Sequence, residues 1–95
     1  MNVLFKAEKA KLEIDILRKE SPSFSLWDSI SSQLDYILND FDSSGNFKKT
    51  SDVSRVKQII IGVQSVREIE SGNSKLADLL CEVDYEYKEL YGLVN

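Results

Sequence analysis

The chain has 95 residues, 42% of them hydrophobic and 29% charged, and this length is short for one ordinary domain and leaves no room for a second. Its 12 Lys and Arg are outnumbered by 16 Asp and Glu, and this net charge of −4 argues against nucleic-acid binding, which needs surplus positive charge. Histidine is absent and Cys81 is the single cysteine, which excludes His-based catalysis, most catalytic zinc sites and an internal disulfide.

The first two predicted helices cover about residues 2–20 and 24–41. Ser21-Pro22-Ser23 ends the first, because the residue before a proline avoids the α region. The apolar face of the first helix comprises Val3, Ala7, Ala10, Ile14 and Leu17. We expect this face to be widened by Phe5, Leu12 and Ile16. The face of the second comprises Trp27, Ile30, Leu34, Ile37 and Phe41.

The third predicted helix covers about residues 52–70 and is expected to continue through the β-branched run Ile59–Ile61. Its apolar face comprises Val53, Val56, Ile60 and Val63, extended by Ile59, Val66 and Ile69. Gly62 costs such a helix about 1 kcal/mol relative to Ala, and close approach of another helix would be a reason to keep it.

The fourth predicted helix covers about residues 74–90, after the break at Ser71-Gly72-Asn73. Its apolar face comprises Leu76, Leu79, Leu80, Val83, Tyr87 and Leu90. Amphipathic helices joined by short loops predict an all-α fold, a small bundle of about four helices that forms a single domain over residues 1–95. The modest core of so short a chain leaves room for self-association, so a homodimer of the free protein or a self-assembling helical regulator is one interpretation.

Two short motifs offer other functions. The loop Asp40–Phe47 resembles the start of an EF-hand calcium loop, but Ser51 stands where calcium needs a glutamate, and a polar turn is the competing interpretation. Asp28-Ser29-Ile30 resembles the attachment triplet of small acidic carrier proteins without their glycine-containing lead-in, and a solvent-facing serine competes with that interpretation.

Residues typical of catalysis are missing from the sequence. It has no glycine-rich phosphate loop, no metal-ligand cluster and no nucleophile beside a base, so we expect no enzyme activity, no cofactor and no metal. Cys81 is expected to be a small buried or half-buried hydrophobe. The apolar run at the N-terminus is too short for a signal peptide and no stretch is long enough for a membrane span, which predicts a cytoplasmic protein that does not bind membranes.

Most of the negative charge lies on the fourth predicted helix, where five acids outnumber two lysines. Tyr85 and Tyr91 lie off its apolar face, between those acids. Because tyrosine is enriched at interface hot spots, this strip of tyrosines and acids is the best candidate for binding a basic partner, and a solvated outer face is the competing interpretation.

Several stretches resemble the small helical immunity proteins of bacterial type VI secretion. They are Gln33-Leu34-Asp35-Tyr36-Ile37, Ser21-Pro22 with Phe24, and a series from Gly62 through Val66-Arg67-Glu68-Ile69 to Leu76, Leu80, Glu82 and Tyr85. The resemblance covers about three quarters of the chain and rests on order and spacing. The loop from Asp42 to Thr50 is about five residues longer than the family pattern.

This resemblance implies a non-enzymatic protein that binds a cognate toxin domain and occludes its NAD site. The toxins of that family hydrolyse NAD(P) on an ADP-ribosyltransferase-like fold, and a related ADP-ribosyltransferase toxin is also compatible. A toxin that binds a dinucleotide phosphate presents positive charge, which an acidic partner would complement. The interface is therefore expected to comprise Arg67, Glu68, Glu70, Asp78, Glu82, Tyr85, Glu86 and Glu89.

Overall fold

Helices account for the regular structure of the chain. In the computed structural model, which describes residues 2–94, they are α1 (Val3–Glu20), α2 (Ser25–Leu38), α3 (Val53–Val56), α4 (Ile61–Glu68) and α5 (Ser74–Leu90). Within those residues, β pairing is limited to one isolated antiparallel bridge between Phe41 and Phe47, in the loop after α2. The predicted all-α bundle is confirmed, with α3 reduced to a single turn.

The helix ends follow from local hydrogen bonding. The Asn2 side chain accepts from the Phe5 amide at 2.9 Å and begins α1, and Asn73 accepts from the Leu76 amide at 3.1 Å and begins α5. At the end of α5, Gly92 adopts a φ of +70°, in the left-handed region that glycine tolerates best. This turn allows the Leu93 amide to donate to the Lys88 carbonyl at 2.9 Å.

The bundle core lies where α1, α2, α4 and α5 meet. Helix α1 packs against α2 and α5, and α4 packs against α5. The buried apolar side chains of these helices are Val3, Ala7, Ala10 and Ile14 of α1, Ile30, Leu34 and Ile37 of α2, Ile61 of α4, and Leu76, Ala77, Leu80, Val83 and Tyr87 of α5. Two alanines on the buried face of α1 allow its neighbours to approach closely, and pairs such as Arg18–Asp28 at 3.0 Å join its outer edge to α2.

Three residues expected to widen the buried face of α1 lie on its outside. Phe5, Leu12 and Ile16 are 54%, 69% and 58% exposed, so that expectation was wrong. At about 100° of rotation per residue, their common direction is roughly opposite to the buried row that contains Ala7 and Ile14. Helix α1 therefore carries two separate apolar faces, one in the core and one in solvent.

The third predicted helix is broken, because residues 57–60 leave the helical path between α3 and α4. Side chains from distant parts of the chain satisfy the backbone at this break. Gln33 of α2 accepts from the Ile60 amide at 2.7 Å, and Lys88 of α5 donates to the Ile59 carbonyl at 2.6 Å. These bonds replace the hydrogen bonds that a continuous helix would make, so the break costs little.

The break changes which face of α4 is buried. Ile61, Ser65 and Ile69, spaced by four residues, point inward. Val63 and Val66, which were expected in the core, are 54% and 55% exposed. The prediction of a continuous helix from residue 52 was therefore wrong about which residues after Ile60 are buried.

Gly62 sits where α5 approaches α4, and such a close approach is a reason to keep a glycine in this helix. A Cβ built there would lie 3.2 Å from Asp84 Oδ2 and 3.4 Å from Asp84 Cβ. The same Asp84 carboxylate accepts from the Gly62 amide at 2.9 Å, in the first turn of α4. A negative charge at this end of a helix is stabilising because the amide dipoles point toward it.

A buried carboxylate ties the loop after α2 to the end of α5. Asp40 has no exposed surface and accepts hydrogen bonds from the hydroxyls of Tyr87 and Tyr91, each at 2.5 Å. It also accepts from the Thr50 amide and hydroxyl, each at 2.9 Å. Burial alone would raise the pKa of Asp40, but the hydrogen bonds from Tyr87, Tyr91 and Thr50 outweigh it and hold the pKa below its usual value.

The would-be calcium loop is held together by its own hydrogen bonds. Asp42 Oδ1 accepts from the amides of Ser44 and Asn46, each at 2.9 Å, while Asp40 faces the interior. The two carboxylates that matched the EF-hand pattern thus have different partners: Asp42 binds amides within the loop, and Asp40 binds tyrosines at the end of α5. The loop is a polar turn of the kind that Asp, Ser, Gly and Asn favour.

Candidate functional site

An exposed row runs along the outer side of α5. Asp78, Glu82, Tyr85 and Glu89 follow one another at spacings of four, three and four, which places them on one helix face. All four side chains are exposed, and the exposed fraction of Tyr85 is 50%. Four of the eight residues predicted for the interface therefore form one continuous surface.

Glu86 lies at the edge of this row and faces α1. Its carboxylate accepts from Lys6, and Lys6 also lies 3.4 Å from Glu82. The hydrogen bond to Glu86 is the main reason that the pKa of Lys6 is raised, so the lysine stays charged. Because one cation is shared by two acids, the acidic character of the row is reduced at this point but not removed.

A mostly apolar groove lies beside the row, between α4 and α5. It is lined by Gly62, Val63, Val66, Arg67, Cys81, Asp84, Tyr85, Lys88 and Val94. Tyr85 and Arg67, both predicted for the interface, thus stand at the same groove. Glu68 and Glu70 are exposed near the end of α4 but do not line it.

The groove floor is built from fixed polar contacts as well as apolar side chains. The thiol of Cys81 is half-buried, 3.4 Å from Ser65 Oγ and 3.6 Å from the Gly62 carbonyl, as expected for a packing cysteine. Lys88 pairs with Asp84 at 2.8 Å. These charges are neutralised within the wall, so Arg67 remains at the groove with no ion pair among residues 2–94.

Two members of the predicted strip of tyrosines and acids are buried. Tyr91 is 8% exposed and bonds to Asp40, and Asp84 is 8% exposed and bonds to Gly62 and Lys88. Their roles are structural, because each satisfies a buried partner. By contrast, Leu90, which was expected in the core, is partly exposed.

Sequence reasoning missed the apolar part of this surface. The predicted core includes Val63 and Val66, because a continuous third helix would bury both side chains. The spacing Ile61–Ser65–Ile69 was the available signal, since a helix that restarts at Ile61 buries that row and exposes the valines.

The residues proposed for other chemistries are engaged in ordinary contacts. Ser29 is exposed in the second turn of α2, and its hydroxyl accepts from Gln64 at 3.1 Å and Gln33 at 3.3 Å. Among residues 2–94, no three His, Cys, Asp or Glu side chains are grouped so that they could hold a metal ion.

The fold and this surface define a class: small all-α proteins that present an apolar groove and an acidic row on the same side. The family model described as Tsi6 matches residues 7–89, and the chain belongs to that family of type VI secretion immunity proteins. Proteins of this kind bind a cognate toxin protein and are generally non-enzymatic.

Searches of the curated proteins and of the solved structures found no significant match. No helix within residues 2–94 is both long and apolar enough to cross a membrane.

Proposed function

We propose that this protein protects its producer by binding the catalytic domain of an NAD-consuming toxin and covering the NAD site. The toxin is an NAD(P) glycohydrolase or an ADP-ribosyltransferase. The observation that carries the proposal is the side-by-side placement of the groove containing Val63 and Val66 and the acidic row on α5. A site for a dinucleotide phosphate is electropositive and recessed, and a partner for it needs negative charge together with an apolar contact.

Within this surface, Tyr85 is the central contact of the proposed interface. It belongs to both the groove and the row, is half exposed, and offers an aromatic ring that loses little conformational entropy on binding. Asp78, Glu82 and Glu89 surround it with negative charge, and Arg67 supplies one cation on the other side of the groove. Glu68, Glu70 and Glu86 complete the proposed set at the rim, where charges affect the association rate more than the affinity.

The dimensions of the chain support a single domain. The radius of gyration of 12.8 Å is close to the roughly 12.4 Å expected for one compact domain of this length. We therefore propose that residues 1–95 act as a single immunity domain. We also propose that this domain works in the cytoplasm, without a cofactor, a metal, nucleic acid or a membrane.

Co-expression with the toxin encoded next to this protein tests the proposal, with cell survival and cellular NAD as readouts. Wild type should preserve both and should form a complex on gel filtration. Tyr85→Ala and Glu82→Lys should each weaken the complex by ten-fold or more, which corresponds to at least about 1.4 kcal/mol. No complex and no protection of NAD by the wild-type protein would refute the proposal.

The chain offers closely matched controls for these variants. Asp35 on α2 is 56% exposed at its side chain and pairs with Lys11 of α1, as Glu82 is 54% exposed and pairs with Lys6. Asp35→Lys should therefore leave toxin binding unchanged. Likewise, Val66→Asp should disrupt binding at the groove, whereas Val53→Asp on α3, also exposed, should not.

A further inference from the structure

The outer face of α1 carries an apolar row that nothing within residues 2–94 covers. Phe5, Leu12 and Ile16 follow at spacings of seven and four, which places them on one side of the helix. Leu12, at 69%, is the most exposed large hydrophobic side chain in the described part of the chain. These side chains have no role in the bundle core, which makes the row a candidate contact surface for a partner outside it.

Eight of the nine charges on α1 separate into two groups, and the ninth, Glu13, is half-buried, lines a cleft with Lys75 and Leu79 of α5 and forms no ion pair among residues 2–94. Those that face neighbouring helices are paired within the molecule: Lys6, Lys11, Asp15 and Arg18. Those that border the apolar row are Glu8, Lys9, Lys19 and Glu20; all four are exposed, and none forms an ion pair among residues 2–94. By helical rotation, Glu8 and Lys19 border one side of the row, and Lys9 and Glu20 border the other.

The apolar row and its bordering charges complement those of a second copy of α1 that runs in the opposite direction. In an antiparallel pair of α1 helices related by a two-fold axis at the level of Ile14, Leu12 of each copy meets Ile16 of the other. Each border then meets the same border of the second copy, as in antiparallel helix pairs, so Glu8 lies beside Lys19. Lys9 likewise lies beside Glu20. The remaining offsets along the axis are about 1.5 Å, which long side chains span.

We propose that the outer face of α1 is a self-association surface, through which two copies of this chain form a weak antiparallel dimer. The row presents about 300 Å² of apolar surface per copy, below the roughly 800 Å² per partner of a stable complex. Because area alone does not set an affinity, the dissociation constant on the order of 10–100 μM is part of the proposal, as a value typical of small, weak interfaces, and the dimer forms as concentration rises. This proposal does not rest on the toxin assignment, because α1 and the groove lie on different flanks of α5.

Sedimentation equilibrium of the purified full chain without toxin, over a concentration range spanning that constant, tests the proposal. Leu12→Asp should raise the dissociation constant at least ten-fold, and Ile16→Ser should raise it several-fold; both sites are exposed, so both variants should fold. Val66→Asp in the groove is the control and should leave dimerisation unchanged. A wild-type protein that stays monomeric throughout, or a dimer insensitive to Leu12→Asp, would overturn the proposal.

A charge exchange tests the antiparallel register. Lys19→Glu places glutamates opposite each other at two symmetric positions and should weaken the dimer about five-fold. Adding Glu8→Lys to that variant restores opposite charges in the antiparallel pair and should recover wild-type affinity. A parallel pair would set position 8 beside Lys9 and position 19 beside Glu20, so the double variant would be weaker than the single one, and that result would refute the register. Loss of toxin binding by Leu12→Asp, with no dimer at any concentration, would assign this face to the toxin instead.

Discussion

Replacing Asp40 with alanine should be among the most damaging single substitutions in this protein. The change removes a fully buried carboxylate, leaves the Tyr91 hydroxyl without its acceptor, and leaves the Tyr87 hydroxyl with only the long contact of 3.4 Å to Ser51 Oγ. Each buried polar group left unsatisfied costs about 1–3 kcal/mol. Thr50 is exposed, so its amide and hydroxyl can turn to water and add little. The expected loss of unfolding free energy is therefore about 2–6 kcal/mol.

That loss is large for a domain of this length. At about 0.05–0.15 kcal/mol per residue, the whole protein has a stability on the order of 5–14 kcal/mol. Urea unfolding followed by circular dichroism measures the difference directly. Asp42→Ala is the matched control, because it removes an aspartate from the same loop that accepts only local amides and is partly exposed, and it should cost about 1 kcal/mol. Equal losses for the two variants, or a loss under 1 kcal/mol for Asp40→Ala, would contradict the reasoning.

The pH dependence of stability gives a second measurement on Asp40. Its pKa is lower in the folded protein than in the unfolded chain, so its contribution is fully present above the unfolded value of about 3.9. The contribution disappears as pH falls through the folded value. The stability gap between wild type and Asp40→Asn should therefore be constant above about pH 5 and narrow below about pH 4. A gap that widened on acidification would have the wrong sign.

Three further substitutions or titrations probe other contacts. Asp84→Ala should lower the unfolding free energy by about 2 kcal/mol in thermal or urea unfolding, because it removes the charge that caps α4 at Gly62, whereas Asp78→Ala on the exposed side of α5 should change it by under about 0.5 kcal/mol. Gln33→Ala should speed hydrogen exchange of the Ile60 amide by ten-fold or more while exchange in α1 stays unchanged, and equal acceleration in both places would indicate global destabilisation instead. Burial, followed by the hydrogen bond to Asp40, raises the pKa of both Tyr87 and Tyr91, so stability should fall as pH rises above about 10, and tyrosinate absorbance from these two side chains should appear only with unfolding.

The helices that could be predicted from sequence are those whose own buried residues recur at a regular spacing. The buried rows of α1, α2 and α5 follow the three- and four-residue spacing, because each packs along its length. The break before α4 could not be predicted in this way, because its backbone is satisfied by Gln33 and Lys88, which are 27 and 29 residues away from their partners. The outward turn of Val63 and Val66 follows from that break.

The same distinction applies to the candidate site. The exposure of Asp78, Glu82, Tyr85 and Glu89 could be predicted, because residues off the apolar face of an amphipathic helix meet solvent. The burial of Tyr91 could not, since it depends on Asp40, which lies 51 residues earlier in the chain. A polar residue that follows a helix carries no local sign of a partner at that distance.

The hydrogen bonds between Asp40 and the end of α5 also affect the order in which parts of the chain can fold during synthesis. The ribosome makes Asp40 and Thr50 well before Tyr87 and Tyr91, by a few seconds at bacterial rates of about 5–20 residues per second. During that interval the carboxylate has no tyrosine to bind, so the turn held by Asp42 can form but the loop cannot yet be attached to α5 through Asp40. Pairing over sequence separations of 47 and 51 residues is slow to form relative to local helix formation. The loop should therefore be the last part of the newborn chain to become resistant to proteases.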